Sequence, residues 1–126
     1  MSKWLVDAHA VIWFLNDDPA LSETAAATME SPFERLLVSA ASLWEIAIKA
    51  GIRKLEVPEP LVELLEQHGF ESLPVTAAHA WEVSRLPPSD HRDPFDRLLA
   101  AQARIEELPV ISIDADFDQY GVERHW

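Results

Sequence analysis

An α/β fold with a central parallel β-sheet flanked by α-helices is what this chain predicts, and three observations carry the prediction. Short apolar runs of strand length alternate with stretches of helical periodicity, the pattern of a parallel sheet covered by helices. Two of those runs end in an aspartate, at Asp7 and Asp114, and open parallel sheets place their ligand sites beyond the C-terminal ends of strands. No repeat, low-complexity tract or linker interrupts the 126 residues, a length that suits one core and not two, so one domain spanning residues 1–126 is expected.

Each element has its own signal. Lys3 to Val6 reads as the first strand, and His9 to Leu15 as a short helix closed by Asn16, Asp17, Asp18 and Pro19. Ser22 caps an Ala-rich helix running to Glu30, and Leu36 to Val38 is a second buried strand. The apolar helix Ala41 to Ala50 is expected to stop at Gly51. After a proline-bounded connection, Leu55 to Pro60, an amphipathic helix covers Leu61 to His68 and ends at Gly69. Phe70 to Leu73 forms a third strand, Thr76 to Leu86 a helix, and Pro87 to Arg92 a loop. Asp93-Pro94 opens a helix to about Glu106, Pro109 to Ile113 is a fourth strand, and a short helix from Ala115 and a strand near Val122 finish the fold.

Composition narrows the function classes. With no cysteine, thiolate metal sites, disulfide scaffolds and cysteine nucleophiles are excluded, leaving oxygen and imidazole groups for any metal chemistry. No apolar run approaches the roughly 18 residues of a membrane span, and Met1-Ser2-Lys3-Trp4-Leu5-Val6-Asp7 lacks a signal peptide's pattern, so a cytoplasmic protein without membrane contact is expected. The 22 acids against 10 bases give a formal charge of −12, which repels a phosphate backbone unless the charge is uneven or a cation intervenes.

Four acids stand out from the solvated remainder. Asp7 and Asp114 follow buried strands; each either caps the next helix or faces a ligand. Glu45 is the one charged side chain between Leu36 and Ile48, on an otherwise apolar helix, where a lone buried carboxylate is costly without a cation or partner. Its bland alternative is an i,i+4 pair with Lys49, worth about 0.3–0.5 kcal/mol. In Asp93-Pro94-Phe95-Asp96, proline at the first helical position makes Asp93 the cap and leaves Asp96 for chemistry, although the two roles can be reversed. Carboxylates on separate elements suit Mg²⁺ or Mn²⁺, which prefer oxygen ligands and can activate a water beside a phosphodiester.

Leu5-Val6-Asp7-Ala8-His9-Ala10-Val11-Ile12-Trp13, Val38 to Lys49 with Ser42-Leu43-Trp44-Glu45-Ile46, His91 to Ala103 with Asp93-Pro94-Phe95-Asp96-Arg97-Leu98-Leu99-Ala100-Ala101-Gln102-Ala103, and Ile111-Ser112-Ile113-Asp114 together resemble the PIN domain. More closely, they resemble the VapC toxins of bacterial toxin–antitoxin pairs, over nearly the whole chain. The resemblance implies a Mg²⁺- or Mn²⁺-dependent endoribonuclease of a type II pair, neutralised by a cognate antitoxin and homodimeric. It puts the catalytic, metal-holding acids at Asp7, Glu45, Asp96 and Asp114, with Ser112 in the place of a hydroxyl residue near the metal. Ala8 stands where many members have threonine, and Asp116 adds an acid of open role.

Lys49, Arg92 and Arg97, with Ser112, are the candidate substrate contacts, and His91 shares the loop with Arg92. Lys49 and Arg53 are placed on Glu45's helix face, with Lys54 nearby. His9 is expected to support a carboxylate or a phosphate. Trp13, Trp44 and Trp81 read as packing or dimer contacts. A receiver-like signalling domain is the rival from another class. It needs an acceptor aspartate on a middle strand and a late lysine, whereas Leu55 to Leu73 contains no aspartate and the last lysine is Lys54.

Overall fold

In a computed structural model that describes residues 2–90 and 92–126, the described strands form one parallel sheet. β1 (Lys3–Val6), β2 (Arg35–Ser39), β3 (Glu71–Leu73), β4 (Val110–Ile111) and β5 (Arg124–His125) lie in the order β3-β2-β1-β4-β5. The chain builds outward from β1 through β2 and β3, then returns to the other side of β1 with β4 and β5. Strand order therefore reverses between β1 and β4, where a crevice opens at the strand ends. Val6 is in register with Ile111, and the Asp7 N–H carries the ladder one step further onto the Ile111 carbonyl at 3.1 Å.

The helices are α1 (Ala8–Leu15), α2 (Glu23–Glu30), α3 (Ala40–Gly51), α4 (Leu61–Gln67), α5 (Ala77–Glu82) and α6 (Pro94–Glu106), with 3₁₀ turns at Val83–Arg85 and Ala115–Tyr120. Alternation along the strands divides the core. Val6 and Ile111 pack on one face with Val11, Met29, Leu36, Val38, Leu65 and Phe70. Leu5 and Val110 pack on the other with Leu99, Ala100, Ala103, Phe117 and Tyr120. Each large apolar side chain removed from water contributes about 1.5–3 kcal/mol, so a slip of one residue in β1 would exchange its two buried faces.

Most sequence-based boundaries shift by a residue, the last strand lies at Arg124–His125 rather than at Val122, and four further differences have a local cause. β4 ends at Ile111, two residues early, because the Ser112 Oγ accepts the Asp114 N–H at 3.0 Å and turns the chain out of the sheet. The segment after Asp114 is a 3₁₀ helix, closed by Gly121 at φ 71°. The helix expected over Thr76 to Leu86 is α only to Glu82, since Pro87 disfavours a helical Leu86. Gly51 does not stop α3: it stays helical, and Arg53 takes the left-handed conformation at φ 59°.

Candidate active site

Every acid singled out in the sequence sits at the N-terminal part of a helix that follows a strand or loop at one end of the sheet. Asp7 caps α1, accepting the Ala10 N–H on Oδ1 at 2.8 Å. Asp93 caps α6, accepting the Phe95 and Asp96 N–H groups on Oδ1 at 2.9 and 3.2 Å. Asp114 caps the last 3₁₀ helix, accepting the Asp116 N–H on Oδ1 at 2.9 Å. Asp96 lies in the first turn of α6, and Glu45 in the second turn of α3, whose own cap is Ser39.

One cavity of about 540 Å³ collects them. It is lined by Asp7, Glu45, Asp93, Asp96 and Asp114 together with His9, Trp13, Lys49, Ile113 and Ala115. Capping and facing the cavity are thus not alternatives for Asp7 and Asp114, which do both. The same holds at α6, where Asp93 is both the structural cap and a cavity group beside Asp96. The cap position and the first turn lie at the same helix end, so the two acids share a destination.

Burial is what most perturbs Asp7. It pushes the carboxyl above the usual aspartate range, the nearby Glu45 charge adds to the rise, and hydrogen bonds from Ser112 and the Ala10 N–H together with His9 work against it. Glu45 is also buried, and the Lys49 ammonium meets its Oε2 at 2.8 Å. The i,i+4 pair anticipated as a bland alternative is therefore present, but it lies on the cavity wall rather than on a solvated helix face.

The donor set fits a hard divalent cation. Carboxylate oxygens dominate the lining, no sulfur is present, and a protein ammonium already neutralises one of the acids. Among the described residues, no three Asp, Glu or His side chains are gathered into a ready-made ion site. Like charges facing one cavity repel, so closing them around an ion requires the ion's own charge.

Other expected site residues fall in different places. Ser112 is fully buried, its hydroxyl donating to Asp7 and accepting from the Asp114 N–H, so it braces two acids and presents no surface to a substrate. Arg97 lies with its guanidinium 5.8 Å from the centre of the Tyr120 ring and is not among the cavity-lining residues. Arg92 is exposed in the loop before α6, outside the lining, while His91 lies outside the described residues. Arg53, beyond the end of α3, has left the helix face of Glu45. His9 is exposed on the cavity rim with its ring 5.7 Å from that of Trp13. Asp116 accepts from the Gln119 side chain and is not part of the lining. Trp44 and Trp81 are 61% and 69% exposed, which removes them from the core, and Trp13 is a cavity wall.

Sequence reasoning missed the framework behind the acids. Gln102, on α6, accepts the Ser39 hydroxyl at 2.5 Å and donates to the Pro74 carbonyl and to His79 Nδ1, both at 3.3 Å. His79 Nδ1 also accepts the Thr76 N–H, so the proton sits on Nε2 and is donated to Glu106 at 2.9 Å. This buried chain ties the helix carrying Glu45 to the helix carrying Asp93 and Asp96.

The PIN domain family model matches residues 4–123. The comparison with curated proteins gives no match. Among solved structures, a chain of VapBC2 from Rickettsia felis, bound to a DNA fragment from the VapBC2 promoter, is similar at TM-score 0.72 and 15% identity, covering 98% of this chain and 99% of that one. A chain of DNA-bound VapBC from Salmonella typhimurium gives TM-score 0.66 and 20% identity, over 98% and 97%. The PIN domain endonuclease Utp24 gives TM-score 0.55 and 17% identity, over 94% and 75%. Among the described residues no helix is long and apolar enough to cross a membrane. With the family model covering nearly the whole chain and the parallel sheet in place, the chain belongs to the PIN domain family.

Proposed function

We propose that this chain is the toxin of a type II toxin–antitoxin pair, a Mg²⁺- or Mn²⁺-dependent endoribonuclease that cuts RNA to stop translation and growth. The observation that carries the reading is the convergence of acids from four separate elements on one cavity at the strand-order reversal of a PIN domain. Asp7, Glu45, Asp96 and Asp114 would hold the ion, with Asp93 at hand. A bound divalent cation supplies charge neutralisation at the phosphate and makes a water acidic enough to attack near neutral pH.

The chain's own groups do the rest. The caps Asp7, Asp93 and Asp114 each commit Oδ1 to the backbone, which fixes the carboxylate's orientation toward the cavity. Ser112 holds Asp7 and Asp114 at a constant separation. Lys49, paired to Glu45, supplies a cation that can turn to the phosphate when another charge takes Glu45. Hydrolysis adds the water oxygen to phosphorus as the P–O3′ bond breaks, leaving a 5′-phosphate and a 3′-hydroxyl.

A cytoplasmic homodimer inhibited by a cognate antitoxin completes the proposal. Support for that partner is the likeness in fold to chains of VapBC complexes, and an acidic cavity attracts a cationic inhibitory segment. The test is cleavage of total cellular RNA by purified protein, with cut sites mapped. Activity is expected with Mg²⁺ or Mn²⁺ and lost with EDTA or Asp7→Asn; no cleavage by the wild type, or cleavage that survives both treatments, would overturn the reading.

A further inference from the structure

The cavity is larger and less polar than an ion site needs. Six waters around a cation fill roughly 180 Å³ at ~30 Å³ each, against a cavity of about 540 Å³. Its carboxylates share the lining with an apolar wall of Trp13, Ile113 and Ala115. Ile113 is half exposed, and Trp13 is only partly buried although it lies on α1, a helix whose neighbouring Val11 and Ile12 are in the core. A half-buried indole beside a cluster of acids is an uneconomical core residue and a suitable surface for a flat ligand.

Trp13 is also held in place. Its ring meets His9 at 5.7 Å with planes 44° apart and Trp126 at 5.9 Å with planes 59° apart. Neither neighbour is stacked parallel on it. An anchored indole in reach of a phosphate site loses little entropy when a planar group settles against it, and bases of any sequence can stack on an aromatic face.

We propose that Trp13, with Ile113, is the platform for the nucleobase next to the scissile phosphate. The proposal rests on the ribonuclease reading above and specifies what fills the part of the cavity that the ion and phosphate leave. A base inside a duplex already has neighbours on both faces and is not available to an indole; one in a loop or single strand is.

The experiment uses a single-stranded RNA oligonucleotide spanning a mapped cut, with 2-aminopurine placed in turn at the nucleotide on each side. In EDTA the wild type is expected to quench one of the two positions, and Trp13→Ala to abolish that quenching while Trp13→Phe retains part of it. With Mg²⁺ or Mn²⁺, Trp13→Ala is expected to lower kcat/KM about 5- to 150-fold, the span of one lost base–aromatic stack. An oligonucleotide abasic at the quenched position should cost the wild type a similar factor and cost Trp13→Ala almost nothing. Equal discrimination against the abasic substrate by both proteins, or quenching that persists in Trp13→Ala, would overturn the assignment. Cleavage of the oligonucleotide with quenching at neither position would overturn the platform and leave the ribonuclease reading standing. Retention of the wild-type melting temperature in EDTA by Trp13→Phe separates a lost platform from a lost fold.

Discussion

Replacing Gln102 by methionine removes the hydrogen bonds at the centre of the buried chain while nearly conserving volume, so the loss measures polar satisfaction rather than a cavity. Gln102 and Ser39 are both fully buried, and the Ser39 hydroxyl proton would have no acceptor, a cost of about 1–3 kcal/mol. The Pro74 carbonyl and His79 Nδ1 each lose one bond, but water can reach the exposed Pro74 and Thr76 still serves His79, so together these add about 1 kcal/mol. The expected loss is about 2–4 kcal/mol, or a melting temperature lower by roughly 8–16 °C in a chain of this size. Urea unfolding should show a reduced midpoint at unchanged slope. Ser39→Ala alone loses the α3 cap and orphans Gln102 Oε1, whereas the double variant leaves neither partner stranded. The double-variant cycle should therefore show a coupling of at least about 1 kcal/mol. Additivity to within about 0.3 kcal/mol, or a Gln102→Met loss below about 1 kcal/mol, would refute this account of how α3 and α6 are held together.

Two further outcomes follow from the cavity. Because burial raises the Asp7 carboxyl, the folded state favours its neutral form, and stability from this group is present below the unfolded value of roughly pH 4 and lost as pH rises through the folded value. Asp7→Asn keeps an equally good helix cap and cannot ionise, so in EDTA it should be the more stable protein near neutral pH, with the difference vanishing in acid; melts from pH 3 to 8 that run parallel would contradict this. Lys49→Met strands the buried Glu45 carboxylate, which should cost about 1–3 kcal/mol in EDTA. Mg²⁺ should recover more of that loss than it adds to the wild type, and equal gains would exclude Glu45 as an ion ligand.

The sequence was most legible where strand meets helix. Trp4-Leu5-Val6-Asp7 and Val110-Ile111-Ser112-Ile113-Asp114 announce both a buried strand and an acid at its end, and the structure pairs them as neighbours across the strand-order reversal. Glu45 was legible by contrast with its apolar helix. The Asp93–Asp96 choice was not, because a one-dimensional reading assigns each acid one role, whereas a capping carboxylate and a first-turn carboxylate leave the same helix end. The chain from Ser39 through Gln102 to His79 was invisible, since its partners are 63 and 23 residues apart and no periodicity marks a buried hydrogen bond. Trp13 did leave a trace: it is four residues from His9, on the face of α1 that follows the Asp7 cap. Ser112 entered as a candidate only through the family resemblance, and its complete burial between Asp7 and the Asp114 N–H is a feature that the sequence does not mark.

β5 is only two residues long, yet Arg124, His125 and Trp126 hold the site from behind. The His125 carbonyl accepts the Ser112 N–H at 3.3 Å, Arg124 donates to the Ser112 carbonyl at 3.3 Å while clasping Asp118, and Trp126 rests on Trp13. Ser112 in turn sets Asp7 and Asp114. A chain without Arg124, His125 and Trp126 would lose that seryl brace and the indole wall together, leaving the cavity's carboxylates in place but no longer held.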